Sequence, residues 1–151
     1  MAEVILPQGW GWKGLVEVAE NHDFAREPVK ADQRTAGPFP YCGANGVIDH
    51  VDGYTHDGEF VMLAEDGGFF GPSEPSTYVM SGRFWANNHV HILQAKEGFL
   101  TTGYLHHFLN HTDLRVHLTG ATRPKLTQGA MNHIRVAIPH PDDPARSLEE
   151  Q

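Results

Sequence analysis

The apolar positions of this chain fall into short runs separated by Gly, Pro, Asn and Asp, the punctuation of a strand-rich fold. Glu59–Ala64 is the most continuous run and predicts a buried strand. Val47–Val51 predicts a shorter strand before it, reached through the turn sequence Gly43-Ala44-Asn45-Gly46. Thr77–Ser81 and Phe84–Ala86 predict strands on either side of Gly82, and Asn87–Leu93, Arg115–Leu118 and Arg135–Pro139 predict three more. Helical spacing shows in two places. Leu100, Tyr104, Leu105, Phe108 and Leu109 form one stripe, which predicts an amphipathic helix near 98–110. Pro124 suits a first helical turn, so a short second helix is expected near 124–132. Ser147, with Glu150 three residues on, has the pattern of a further helix start. Polar stretches at 19–37 and 67–75 read as long loops; Phe69 and Phe70 in the second either pack inward or meet a partner. These elements predict an α+β fold in a single domain, with strands in the majority.

The length of 151 residues suits one domain with a hydrophobic core. No run approaches the roughly 20 apolar residues of a membrane helix. The N-terminus lacks the basic and apolar segments of a signal peptide, and the single cysteine, Cys42, excludes an internal disulfide; both features lead us to expect a cytoplasmic protein. Cys42 is expected to be a packed small residue rather than a reactive thiol.

The formal net charge of −8 argues against a generic nucleic-acid binder, but its distribution changes that picture. Residues 1–80 carry four Lys/Arg against thirteen Asp/Glu, whereas residues 81–137 carry six against two. Seven of the eleven histidines also lie in 81–137. One region is therefore basic within an acidic chain, which points to a localised polyanion site.

Two candidate chemistries follow. If the segment near 124–132 is a helix, Gly120 and Thr122 form a turn feeding its N-terminus, where free backbone N–H groups and the positive dipole end bind phosphate. Arg123 and Lys125 flank that position, and Thr122 and Gln128 add hydrogen-bonding groups. The rival is a metal site: His89 and His91 share a strand face, the spacing of metal ligands on a sheet, with His106, His107 and His111 as further candidates. His107 and His111 are one helical turn apart but lack the glutamate of the metalloprotease pattern, and a solvated face accounts for them. No Gly-x-Gly-x-x-Gly or Walker loop, no Asn-Pro-Pro-Tyr-like methyltransferase motif, no Gly-x-Ser-x-Gly elbow and no internal repeat is present.

Four stretches taken in order resemble the target recognition domain of type I restriction–modification specificity subunits. They are residues 40–67, Ser81–His91, Leu118–Gln128, and Ile134–Pro139 followed by the terminal Glu-Glu-Gln. The resemblance runs from about Gly9 to Gln151 and implies an irregular, twisted mixed sheet or partial barrel with protruding loops. It implies a recognition domain over residues 1–139, then a linker and the truncated start of a spacer helix over 140–151. It also implies a non-catalytic domain that reads one half of a split DNA target. The chemistry would lie with partners: a methyltransferase subunit using S-adenosylmethionine, and a restriction subunit using ATP and Mg. On that reading Thr122, Arg123, Lys125 and Gln128 hold phosphates. Bases are read from the loops 23–34 and 67–81, and Arg26, Lys30, Arg34 and Arg83 are further DNA-binding candidates. Two alternatives stand beside it: a small β-rich, cupin-like metalloenzyme using His89 and His91, and a truncated recognition domain acting as a regulator.

Overall fold

The structure, a computed structural model, describes residues 5–120 and 122–151. Within them the fold is α+β, built on an open six-stranded mixed sheet and a two-stranded companion. The chain enters on β1 (Trp10–Gly14), which pairs antiparallel with β8 (Arg135–Pro139). A single helical turn, α1 (Leu15–Val18), leads to the edge strand β2 (Ala19–Asn21) of the large sheet. That sheet runs in the order β2, β7 (Val90–Ala95), β5 (His56–Ala64), β6 (Thr77–Ala86), β3 (Ala36–Gly43) and β4 (Gly46–Val51). All its pairings are antiparallel except the short β3–β6 contact.

β5 sits between β6 and β7, with both edges hydrogen-bonded and both faces covered. Phe60 and Met62 pack on one face with Phe84, Val90, Ile92 and Cys42. Val61 and Leu63 pack on the other with Leu93, Leu105, Leu109, Leu126 and Met131. Two-sided burial is why this stretch reads as a continuous apolar run rather than an alternating one. Pro38 and Pro40 lie in β3, where the register against β4 shifts between Ala36 and Phe39; proline cannot donate to a ladder and is tolerated at such irregularities.

The expected amphipathic helix is present as α2 (Thr102–His111), with the Thr101 side chain accepting from the Tyr104 N–H at its N-cap. Leu105 and Leu109 are its buried residues. Several boundaries differ from expectation. The two strands around Gly82 are one strand, β6, because unbroken pairing with β5 from Thr77 to Phe84 carries the chain past the glycine. Arg115–His117 is a 3-10 turn, not a strand. Residues 87–89 form a turn before β7, so His89 precedes the strand rather than lying in it. The long loop at 19–37 contains β2, two 3-10 turns and the start of β3. The expected helix near 124–132 shrinks to α3 (Gln128–Met131), capped by the Thr127 side chain. The last helix, α4 (Pro144–Glu150), is capped by Asp143 rather than Ser147; Ser147 is buried within it. Phe70 is buried and Phe69 exposed. Cys42 is buried, and burial pushes its thiol up to about 11, against a smaller opposing effect of the Tyr78 hydrogen bond, so no reactive thiolate forms near neutrality.

His56, at the start of β5, is a buried polar group with both ring nitrogens served. One lies 2.8 Å from the His22 carbonyl and the other 2.6 Å from the Thr55 hydroxyl. The ring stacks on Phe84 at 5.4 Å. A carbonyl can only accept, so the neutral ring donates from Nε2 and accepts the Thr55 hydroxyl at Nδ1. Burial holds its pKa below the ordinary value.

Two predictions follow from this core. Val61 and Leu63 are 0% exposed. Val61→Asp or Leu63→Asp is expected to unfold the domain, because a buried unpaired charge costs several kcal/mol against a total stability of about 5–15 kcal/mol. Circular dichroism melts check this, and a cooperative transition near the wild-type temperature would contradict it. His56 gives a pH effect. Its folded-state pKa is depressed, so the unfolded chain binds the proton first on acidification. Its contribution is therefore complete above the ordinary imidazole range and is lost as pH falls through it. Urea midpoints measured from pH 7.5 to 5 should fall, and His56→Gln should flatten part of that slope.

Candidate functional site

Four turns meet at one end of the large sheet. They are the β3–β4 turn at 44–45, the exit of β5 at 65–67, the β6–β7 turn at 87–89, and the loop at 118–127. Together they enclose an open cleft of about 570 Å³, lined by Asn45, Ile48, Asp66, Asn87, His89, Thr122, Arg123 and Pro124.

Each wall is set locally. β3 and β4 are joined by a two-residue connection with Gly46 at φ 132°, a conformation that favours glycine. This places Asn45 at the tip, where its side-chain amide donates to the Gly67 carbonyl at 2.9 Å. In the β6–β7 turn the Asn87 side chain accepts the His89 N–H at 2.9 Å. The loop at 118–127 closes on itself through paired backbone hydrogen bonds between Thr119 and Lys125, at 2.8 and 2.9 Å. Gly120, at φ 86°, turns the chain there; a Cβ would stand 2.9 Å from the Arg123 carbonyl oxygen. The loop is then tied to β5 by the Leu126 N–H donating to the Glu65 carbonyl at 2.6 Å and by the Asp66–Lys125 bridge. Thr122, Arg123 and Pro124 are left exposed at the tip.

Behind the cleft lies a buried charged network. Asp23 accepts the Ile92 N–H at 2.7 Å with one carboxylate oxygen and lies 2.6 Å from His91 Nδ1 with the other. His91 Nε2 donates to the Leu126 carbonyl at 2.6 Å. Arg26, with its side chain 15% exposed, donates to Glu65 at 3.3 Å and to the Val90 carbonyl at 3.2 Å, and lies 3.9 Å from Asp23. Lys125 Nζ lies 3.5 Å from the second Glu65 oxygen. Both nitrogens of His91 face acceptors, so one proton lies between Nδ1 and Asp23 and another between Nε2 and the Leu126 carbonyl.

This arrangement sorts the residues proposed from the sequence. Thr122 and Arg123 line the cleft, and Lys125 borders it while paired with Glu65. Gln128 is exposed at the start of α3, outside the lining. The helix N-terminus expected to receive phosphate at Arg123 and Lys125 is not there: the helix begins at Gln128, and Thr127 fills its capping position. Arg26 belongs to the buried network. Arg34 donates to the Val29 carbonyl and to Asp49 and lies 4.1 Å over the Tyr41 ring, beside a separate hollow of about 110 Å³. Arg83, on β6, pairs with Asp57 and covers the Tyr54 ring, and Lys30 is exposed before the second 3-10 turn.

The metal reading of His89 and His91 lacks a ligand set. His91 has both nitrogens engaged by Asp23 and Leu126, and His89 faces Asp66 at 2.6 Å. Among the described residues no three His, Cys, Asp or Glu side chains gather in a way that could hold a metal. His107 and His111 are exposed. Sequence reasoning missed Asn45, Asn87 and Asp66 as cleft residues; the Asn-Gly and Asn-Asn turn sequences at 45–46 and 87–88 were the available signal.

Comparison with known proteins places this geometry. The sequence profile of a family described as the type I restriction modification DNA specificity domain matches residues 7–144. A Haemophilus influenzae protein named as a type I restriction enzyme specificity subunit is 44% identical over 128 residues, 85% of this chain and 33% of the relative. The EcoprrI specificity subunit of Escherichia coli is 24% identical over 101 residues, 67% of this chain and 24% of that protein. The chain thus spans a third or less of these relatives. In structure, the S subunit of a type I restriction-modification system from M. genitalium matches 89% of this chain and 36% of its own, with a TM-score of 0.67 at 11% identity. The HsdS subunit from Thermoanaerobacter tengcongensis matches 97% of this chain and 37% of its own, with a TM-score of 0.59 at 14% identity.

The network yields a prediction. Asp23→Ala would leave His91 buried without its carboxylate and the Ile92 N–H without an acceptor, and should cost about 3–5 kcal/mol. Lys125→Ala, at a half-exposed site, should cost roughly 1 kcal/mol or less. Urea denaturation of both variants measures the contrast. Equal, small losses would show that the network does not carry this end of the sheet.

Proposed function

The chain belongs to the family of type I restriction–modification DNA specificity domains, and on that basis we propose that it is a non-catalytic domain recognising one half of a bipartite DNA target. The observation that carries the reading is the cleft itself. Four turns bring an exposed side-chain amide, an imidazole, a hydroxyl and an arginine, Arg123, to one end of the molecule, with the Asp66 carboxylate beside them. These are the groups that read base edges and hold phosphates.

The roles divide by chemistry. Arg123 is exposed and in no ion pair among the described residues. It serves as the phosphate contact, with Thr122 beside it. Asn45, exposed at its turn tip, carries the amide offered to bases, whereas the Asn87 amide is buried and fixes the turn that bears His89. Lys125 contributes less to phosphate binding than its position in sequence suggests, because Glu65 already balances its charge. The partners of such a domain are double-stranded DNA, a methyltransferase subunit with S-adenosylmethionine, and a restriction subunit with ATP and Mg. No helix among the described residues is long and apolar enough to cross a membrane.

The test is a salt series on specific and unrelated duplexes. Arg123→Ala should weaken binding to both about equally and lower the log–log salt slope by about one unit, since one neutralised phosphate releases roughly one counterion. Lys125→Ala should lower the slope by less. An unchanged slope for Arg123→Ala would remove it from the phosphate contact. A loss confined to the specific duplex would move it to base reading.

A further inference from the structure

His89 is the cleft's one imidazole, and its protonation pattern is set by its neighbour. Nδ1 lies 2.6 Å from an Asp66 carboxylate oxygen. An ionised carboxylate only accepts, so Nδ1 carries the proton and donates. In the singly protonated ring the lone pair is then on Nε2, because the hydrogen bond at one nitrogen fixes the role of the other. Nε2 makes no hydrogen bond among the described residues, and the side chain is half exposed on the cleft. Its backbone is also fixed, since the His89 N–H donates to Asn87 and its carbonyl accepts the Glu65 N–H at 2.9 Å. The ring is therefore a preset acceptor on a fixed turn.

Electrostatics favour the same polarity. The Asp66 charge stands beside the ring, whereas Arg123, in no ion pair among the described residues, belongs to the 118–127 loop. A phosphate approaching His89 meets a carboxylate. A base amino group, which carries partial positive charge, does not suffer that repulsion.

Resting on the reading of the cleft as a DNA-binding site, we propose that His89 is a specificity-determining residue that accepts a hydrogen bond from a base amino group. In the major groove the amino groups are adenine N6 and cytosine N4. Asp66 is the positioning residue that holds the ring in the accepting tautomer. Guanine O6 and thymine O4 are acceptors and are refused by an acceptor at the same point. One net hydrogen bond of about 1 kcal/mol corresponds to roughly fivefold discrimination at a single base position.

The experiment is selection from a random duplex pool at pH 8, using the 151-residue chain. Each variant is first checked for a wild-type melt. The wild type should show one position preferring adenine or cytosine on one strand by roughly fivefold. His89→Ala should flatten that position alone and leave the rest of the motif. Asp66→Asn should relax the same position, because an amide can donate to Nδ1 as well as accept and so admits the tautomer with a proton on Nε2. A purely structural role for either residue would weaken every position together. If folded His89→Ala retains the full wild-type motif, His89 reads nothing, and the DNA reading of the cleft survives without it. If the wild-type chain enriches no sequence, the cleft's assignment as a reading site fails, and this inference with it.

Discussion

The buried meeting of Asp23, Arg26, Glu65 and His91 holds this end of the molecule together. Each belongs to a different piece of chain: a 3-10 turn after β2, the segment that follows it, the exit of β5, and β7. Ionised groups are taken out of water only when their partners repay the desolvation, and here each carboxylate meets two or more donors. A partly assembled network would leave a charge unpaired, so the four segments lock together or not at all. The Leu126 carbonyl closes the set on His91, which carries the tie into the loop that bears Arg123. Buried pairs of this kind add little net stability over an apolar core, but they tolerate few alternative geometries.

Much of the fold was legible in the chain, for physical reasons that vary by element. Phe60–Ala64 announces a strand because burial on both faces removes the need for any polar residue. The stripe from Leu100 to Leu109 announces a helix because one face alone is buried. What failed was the segment after Gly120. Pro124 is as compatible with an extended loop as with a helical first turn, and the choice was made by Lys125 pairing across to Thr119 and Asp66. Local propensity carries no record of such partners. The same limit applies to the cations: Arg26 and Arg123 look alike in sequence, but one is sealed against Glu65 and the other is exposed at a loop tip. The His-x-His pattern misled both as a shared strand face and as chemistry: His89 lies in the turn before β7, and a carboxylate meets each ring separately, Asp23 at His91 and Asp66 at His89.

The acidic net charge is less at odds with DNA binding than it first looks. Counting charges treats all of them as free, but Arg34 and Arg83 are paired with Asp49 and Asp57, and Lys125 with Glu65. Pairing subtracts carboxylates as well as cations from the effective field. What a polyanion meets is the local balance at the cleft, where Asp66 and Arg123 belong to different walls. On the proposed reading, such a surface orients a phosphate towards Arg123 and away from Asp66. Strong orientation suits a domain that must read sequence, because tight non-specific binding would hold it on the wrong sequences.

On the proposed reading, scaffold and reading groups are kept apart. The side chains that fix geometry are buried in β5, β7 and the turn after β2. Those offered to solvent stand on turn and loop tips, where Asn45 and Thr122 are replaceable without opening the core. His89 is the exception, because Asp66, which sets its donor and acceptor pattern, adjoins Glu65 at the exit of β5. A change at Thr122 alters what the cleft presents and little else, and one at Asn45 also removes the tie to the Gly67 carbonyl. A change at Asp66 alters both what His89 presents and the charge beside Lys125. The reading surface is thus graded, from tips free to vary to one position whose chemistry is coupled to the network that holds the domain in shape.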